Sequence, residues 1–105
     1  MRVFVLLAVL QALTLAGALS WGQTPESQGL DLANRLGCYA CHSLKGAGGK
    51  LASALDGAGA RLSPEKLKIA ITNPRQLHPH AKMPSYAYLP APEQEVLVDY
   101  LESLR

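Results

Sequence analysis

Cys38 and Cys41 are the only cysteines in this chain of 105 residues, and only Tyr39 and Ala40 stand between them. A cross-link stabilises a small fold by closing a loop between distant segments. Cysteines this close on one turn close no such loop. Yet the chain is of a size that needs support. Setting aside its N-terminal stretch leaves about 85 residues, where an apolar core alone is marginal and disulfides, a metal or another bound group commonly complete the fold. Aromatic residues that could thicken the core are few: Phe4 and Trp21 near the start, then four tyrosines. The missing core is expected to come from a large apolar group bound to the protein.

The first residues read as an address. Arg2 gives a positive start, and Val3 to Ala18 is apolar apart from Gln11 and Thr14. Small residues follow at Ala16, Gly17, Ala18 and Ser20. This is the layout of a secretory signal peptide with an Ala-x-Ala site at Ala16-Gly17-Ala18. Residues 1–20 are expected to be cleaved, leaving a flexible N-terminus over 21–28 and one domain over 29–105. The alternative is retention of residues 3–19 as a membrane anchor, an apolar run of about 17 residues at the lower edge of what spans a bilayer. Either way the domain is exported, and a periplasmic location is expected.

The remaining sequence reads as helices joined by loops. A first helix is predicted from about Pro25 to Leu36, with Thr24 as cap, Pro25 at its first position and Glu26 at its positive end. Residues 43–60 are glycine-rich and loop-like. A phosphate-binding loop is excluded there, because Leu44 stands where that motif needs glycine and Leu51 follows Lys50. Ser63, Pro64 and Glu65 start a second helix that ends near Asn73, ahead of Pro74. The stretch from Pro74 to Pro92 holds five of the seven prolines and no regular period. The third helix runs from about Pro92 to Leu104, with Leu97, Tyr100, Leu101 and Leu104 at helical spacing. No strand-like alternation appears.

Cys38-Tyr39-Ala40-Cys41-His42 carries the chemistry. C-x-x-C-H is the pattern of c-type haem attachment. On one helical turn, residues three and four apart are neighbours. Cys38, Cys41 and His42 therefore crowd one face, where two thiols can bond to the edge of one haem and the imidazole can reach its iron. Two rival readings remain. A thioredoxin-type redox pair would want a βαβ pattern nearby, and none is present. A zinc site could combine Cys38 and Cys41 with His78 and His80, but it leaves His42 without a role. A second axial ligand should come from far along the chain. Beyond Met1 the only methionine is Met83, between Lys82 and Pro84, and it is the expected ligand, with His78 or His80 as the alternative.

From about Gly29 to Leu104 the chain resembles the small bacterial class I cytochrome c family of monohaem c-type cytochromes. The matching features, in order, are Gly37 to His42, Leu55-Asp56-Gly57-Ala58-Gly59-Ala60-Arg61-Leu62, Ile71-Thr72-Asn73-Pro74-Arg75, Lys82-Met83-Pro84 and Val98-Asp99-Tyr100-Leu101. The resemblance implies an all-α fold of three to four helices wrapped around one covalently bound haem c, with the first and last helices crossing at Gly29 and Tyr100. It implies cofactor contacts at Cys38, Cys41, His42 and Met83, with iron held by His42 and Met83. Two positions depart from the family. Ala52-Ser53 replaces a frequent Gly-Pro whose carbonyl holds the haem histidine, so the Ser53 carbonyl is expected to take that task. Ala33 stands where an aromatic is frequent. A haem propionate is a candidate partner for Arg61.

The function implied is one-electron transfer between exported redox proteins, without catalysis of its own. The alternatives are a dedicated cytochrome subunit of a periplasmic dehydrogenase, for example one of sulfur-compound oxidation, and a haem sensor or peroxidase-like enzyme. Charge suggests how partners meet it. Arg35, Lys45, Lys50, Arg61, Lys66, Lys68, Arg75 and Lys82 face only Asp56 and Glu65 in the same span, whereas the last helix carries Glu93, Glu95, Asp99 and Glu102. A basic rim at the haem edge, with Lys45, Lys50 and Lys82 as members, is expected to dock redox donors and acceptors. Nucleic acid is not an expected partner, and a membrane is one only if the N-terminal segment is retained.

Overall fold

Thr24 begins the first helix as the sequence predicts. Its Oγ1 accepts a hydrogen bond from the Ser27 amide at 3.1 Å, and α1 runs over Pro25–Leu36. The computed structural model describes residues 22–105, so the expected signal segment 1–20 and Trp21 lie outside the described residues. α1 starts inside the stretch 21–28 that precedes the expected domain boundary. It stops at Gly37, whose φ of 79° is left-handed and whose amide closes back on Ala33 and Asn34. Glycine takes that conformation without the steric penalty a side chain would bring.

Past a single 3-10 turn at Cys38–Ala40, the chain forms a small antiparallel hairpin, β1 (Ser43–Leu44) against β2 (Ala47–Gly48). The pairs are Ser43 with Gly48 and Leu44 with Ala47, around a turn in which Lys45 and Gly46 both have positive φ, 50° and 80°. This is the turn geometry that suits the twist of a two-residue hairpin. It corrects the expectation of no strand: strands of two residues are too short to leave an alternating pattern. The glycine-rich stretch also holds a one-turn helix, α2 (Ala58–Arg61), entered through Gly57 at φ 72°.

α3 spans Pro64–Thr72, with Ser63 Oγ accepting from the Lys66 amide at 3.3 Å. It ends where expected, since the residue before a proline is pushed out of the helical region. Asn73 has φ −147° and ψ 68°, and Pro74 then opens a further single turn, α4 (Pro74–Leu77). α5 runs Ala91–Ser103. Among the described residues, three longer helices and two single turns make the all-α fold that the sequence implies. Among the described residues no helix is long and apolar enough to cross a membrane.

The core lies where α1, α3 and α5 meet. Leu32 and Ala33 come from α1, Leu67 and Ile71 from α3, and Leu97, Val98, Tyr100 and Leu101 from α5, with Ala58 added from α2 and Leu55, Tyr86 and Leu89 from the connections. α1 crosses α5 at Gly29: a Cβ there would fall on Tyr100 Cβ and lie 2.6 Å from its Cγ. α2 docks on the end of α5 through the Gly59 amide, which donates to Leu104 O at 2.9 Å.

Candidate functional site

The cysteine segment is one turn, as its spacing requires. The amides of Cys41 and His42 both donate to Cys38 O, at 3.3 and 3.0 Å. Both cysteines are free thiols. Cys38 is half-buried against the edge of the core, and Cys41 is exposed. Burial raises the Cys38 thiol above its ordinary range, against a smaller lowering from a backbone hydrogen bond. A thioredoxin-type dithiol would sit beside a βαβ unit, whereas this turn lies between α1 and a hairpin of two-residue strands.

His42 follows on the same turn. Its Nδ1 lies 2.6 Å from Ser53 O. A carbonyl only accepts, so Nδ1 carries the ring proton and Nε2 keeps its lone pair for a metal. The Ser53 carbonyl does take the task expected of it, and a backbone group needs no particular side chain to do so. The loop that presents it is stitched down along its length. Gly49 N donates to Tyr39 O at 2.9 Å, Ala52 N to Cys41 O at 2.9 Å and Leu55 N to Ser43 O at 2.8 Å. The Asp56 carboxylate accepts from the Lys45 amide at 3.1 and 3.2 Å, which holds the hairpin tip. Arg61 completes the clasp: Nη2 donates to Ala54 O at 2.9 Å and Nη1 to Asp56 O. Its terminal nitrogens therefore face loop carbonyls, a role that the sequence reading, which paired it with a propionate, did not assign.

Met83 is half-buried and packs against the same core cluster as Cys38. Its loop is irregular but anchored on both sides. Before it, Ala81 N donates to His78 O at 2.9 Å and Arg75 Nη1 to Ala81 O at 3.3 Å. After it, Ser85 Oγ donates to Thr72 O, Tyr86 N to Ile71 O at 2.8 Å, and the Tyr86 hydroxyl to Leu36 O at 3.0 Å. That last bond ties the methionine loop to the residue two before Cys38. Burial raises the Tyr86 phenol, and the nearby thiols of Cys38 and Cys41, with Tyr88, add to the effect. Tyr86 was not legible as a site residue. The available signal was that a buried tyrosine hydroxyl needs a partner, but nothing in the sequence named which one.

His78 and His80 are exposed. Among the described residues no three histidine, cysteine or acidic side chains gather to hold a metal ion, so the zinc reading finds no assembled site. Two surface clefts, one beside Gln28 and Glu93 and one beside Ile69 and Val98, contain no cysteine, histidine or methionine. Cys38, Cys41 and His42 share one turn, with Nδ1 of the imidazole held by Ser53 O, and Met83 lies on a loop whose Tyr86 hydroxyl donates to Leu36 O. Two thiols on one turn followed by an imidazole fit a haem bound by thioether bonds, whose iron the imidazole would hold.

Comparison with known families agrees. The family model described as Cytochrome c matches residues 27–105. No curated protein matches the sequence.

Proposed function

The chain belongs to the cytochrome c family, and on that premise we propose that it is an exported one-electron carrier held to its cofactor by Cys38 and Cys41 and ligated by His42 and Met83. The family carries a covalent haem c, transfers electrons and meets redox-protein partners; the size of this chain suits one haem. The haem iron supplies the one-electron couple. Everything else is the work of the chain.

The observation that carries this assignment is the bond from His42 Nδ1 to Ser53 O, on the same turn as both thiols. It sets the tautomer, orients the ring and raises the basicity of Nε2, as partners behind metal-ligating histidines commonly do. Met83 would hold the iron as the second protein ligand, on a loop anchored to Leu36, Ile71 and Thr72 on one side and to His78 on the other. A thioether ligand stabilises the ferrous state and raises the potential. In the proposed layout residues 1–20 are a cleaved signal, 21–28 lead into the domain, 29–105 form it, and the protein works in the periplasm. The half-buried apolar edge at Cys38 and Met83 would be covered by the cofactor, which completes a core too small to be stable unaided.

The test is covalent attachment. Expressed in cells competent in cytochrome maturation, the protein should keep its haem stain through denaturing electrophoresis. Replacing both Cys38 and Cys41 by Ala should give haem-free, poorly folded chain. A folded product loaded with zinc and lacking haem would sink the proposal.

A further inference from the structure

Tyr39 occupies one of the two positions between the cysteines, where the attachment pattern asks for no particular side chain. Here it is held at three points. Its carbonyl accepts from the Gly49 amide at 2.9 Å. Its ring packs on the edge of the core. Its hydroxyl lies 2.6 Å from the hydroxyl of Tyr100. Tyr100 is 4 % exposed, and the base of its ring presses on Gly29, where α1 and α5 cross. None of the residues that α1 buries, Gly29, Leu32 and Ala33, is aromatic. The aromatic mass there comes from Tyr100 on α5 and from Tyr39 on the cysteine turn.

We propose that the Tyr39–Tyr100 hydroxyl pair is a positioning device, which fixes the tilt of the Cys38–His42 turn against the crossing of α1 and α5 and so holds the cofactor's attachment side in a set environment. The inference rests on the haem-binding assignment above. The turn's other ties run to α1 and to the loop beside it: Gly37 to α1, Tyr39 O to Gly49, Cys41 O to Ala52 and His42 Nδ1 to Ser53 O. Among the described residues the phenol pair is the one side-chain hydrogen bond that runs from this turn to α5. At 2.6 Å it lies at the short end of the O–H···O range, and a partly buried setting strengthens it. Burial and the bond to Tyr100 push the Tyr39 phenol well up, which keeps its hydroxyl protonated. Releasing the pair frees the turn to tilt and lets water approach the thiol side. Solvent exposure and hydrogen bonding around an iron site are levers on its potential.

The experiment uses Tyr39→Phe, Tyr100→Phe and the double variant, all of which keep the rings that fill the junction. The midpoint potential of each purified holoprotein is read by redox titration, and its thermal unfolding alongside. Both single variants should shift the midpoint to lower potential by matching amounts. The double variant should go no further, because a bond removed once cannot be removed again. Tyr39→Phe should unfold at a lower temperature than Tyr100→Phe, since it strands the more deeply buried hydroxyl. Wild-type potentials in all three variants, however far their unfolding temperatures fall, would reduce the pair to packing and overturn the inference. Additive shifts in the double variant would overturn it too. A wild-type protein without covalent haem fails the proposed function and this inference together. A haem-loaded protein with unmoved potentials fails this inference alone.

Discussion

His42 has one ring nitrogen committed and one to spare, and that division is what makes it usable as a ligand. Nδ1–H donates to the Ser53 carbonyl at 2.6 Å, which leaves a single ring nitrogen able to bind a metal. Met83 is placed differently. No hydrogen bond can aim a thioether strongly, so its position depends on the backbone ties of residues 78–86 around it. A prediction at this scale follows from the proposed ligation. Met83→Ala should lower the midpoint potential, because a thioether favours ferrous iron, and it should let cyanide or carbon monoxide bind. Redox titration and optical spectra check it. A spectrum and potential identical to wild type would move the ligand elsewhere, first to the exposed His78 and His80.

Elements meet here through small residues. Gly29 lets Tyr100 sit on the backbone of α1, and Gly59 lets α2 sit on the end of α5, where an added Cβ would overlap the carbonyl of Glu102. Gly29→Ala therefore sets two effects against each other. Alanine gains about 1 kcal/mol of helix propensity over glycine. Its methyl, however, meets Tyr100 at Cβ, the root of the side chain, which cannot swing aside, and overpacking of a core costs typically about 1–3 kcal/mol. The clash wins, because relief requires moving α5 as a whole. Gly29→Ala is expected to unfold at a lower temperature than wild type. Gly22→Ala, where a Cβ would meet nothing within 4 Å, is expected to leave the transition unmoved. Equal transitions for both would mean the crossing is looser than the contact implies.

At the scale of the whole molecule, charge is sorted by how it is spent. Among the described residues Arg35 pairs with Asp31 at 3.1 Å, Lys68 with Glu95 at 3.1 Å and Arg105 with Glu102 at 3.8 Å. All are solvent-accessible pairs, which contribute little stability. Lys45, Lys50 and Lys82 are exposed and outside these pairs, so their charge is available to an acidic partner. Lys45 sits in the turn of the hairpin that follows His42, Lys50 lies two residues past its second strand, and Lys82 precedes Met83. Redox encounters are small and brief, and opposite charge raises their on-rate more than their affinity. Added salt is expected to slow second-order transfer to the physiological partner, since screening acts over about 8 Å at physiological ionic strength. Lys50→Glu and Lys82→Glu should slow it further at low salt and leave the potential nearly unchanged. Stopped-flow rates across ionic strength decide this. Rates indifferent to salt and to both reversals would point to a permanent complex, as in a dedicated subunit.

By itself the sequence determined the three long helices, since their start and stop signals are local: Thr24 and Pro25, Ser63 and Pro64, and the proline that ends α3 act within one turn of themselves. It determined the turn from Cys38 to His42 as well, because that pattern is contiguous and its spacing is that of one turn. Met83 is singled out as the proposed second ligand only because no other methionine follows Met1. What tertiary structure alone decided are the pairings between segments far apart in the chain, Tyr39 with Tyr100 and Tyr86 with Leu36, and the local fold of the loop that turns Arg61 onto the carbonyls of Ala54 and Asp56. A hydroxyl or guanidinium can satisfy itself on any acceptor brought within reach, so its residue type states a need without stating a partner. The hairpin at 43–48 escaped for a related reason. Its strands are shorter than one alternation, and its turn places Lys45 at positive φ, with the amide held by the Asp56 carboxylate eleven residues later.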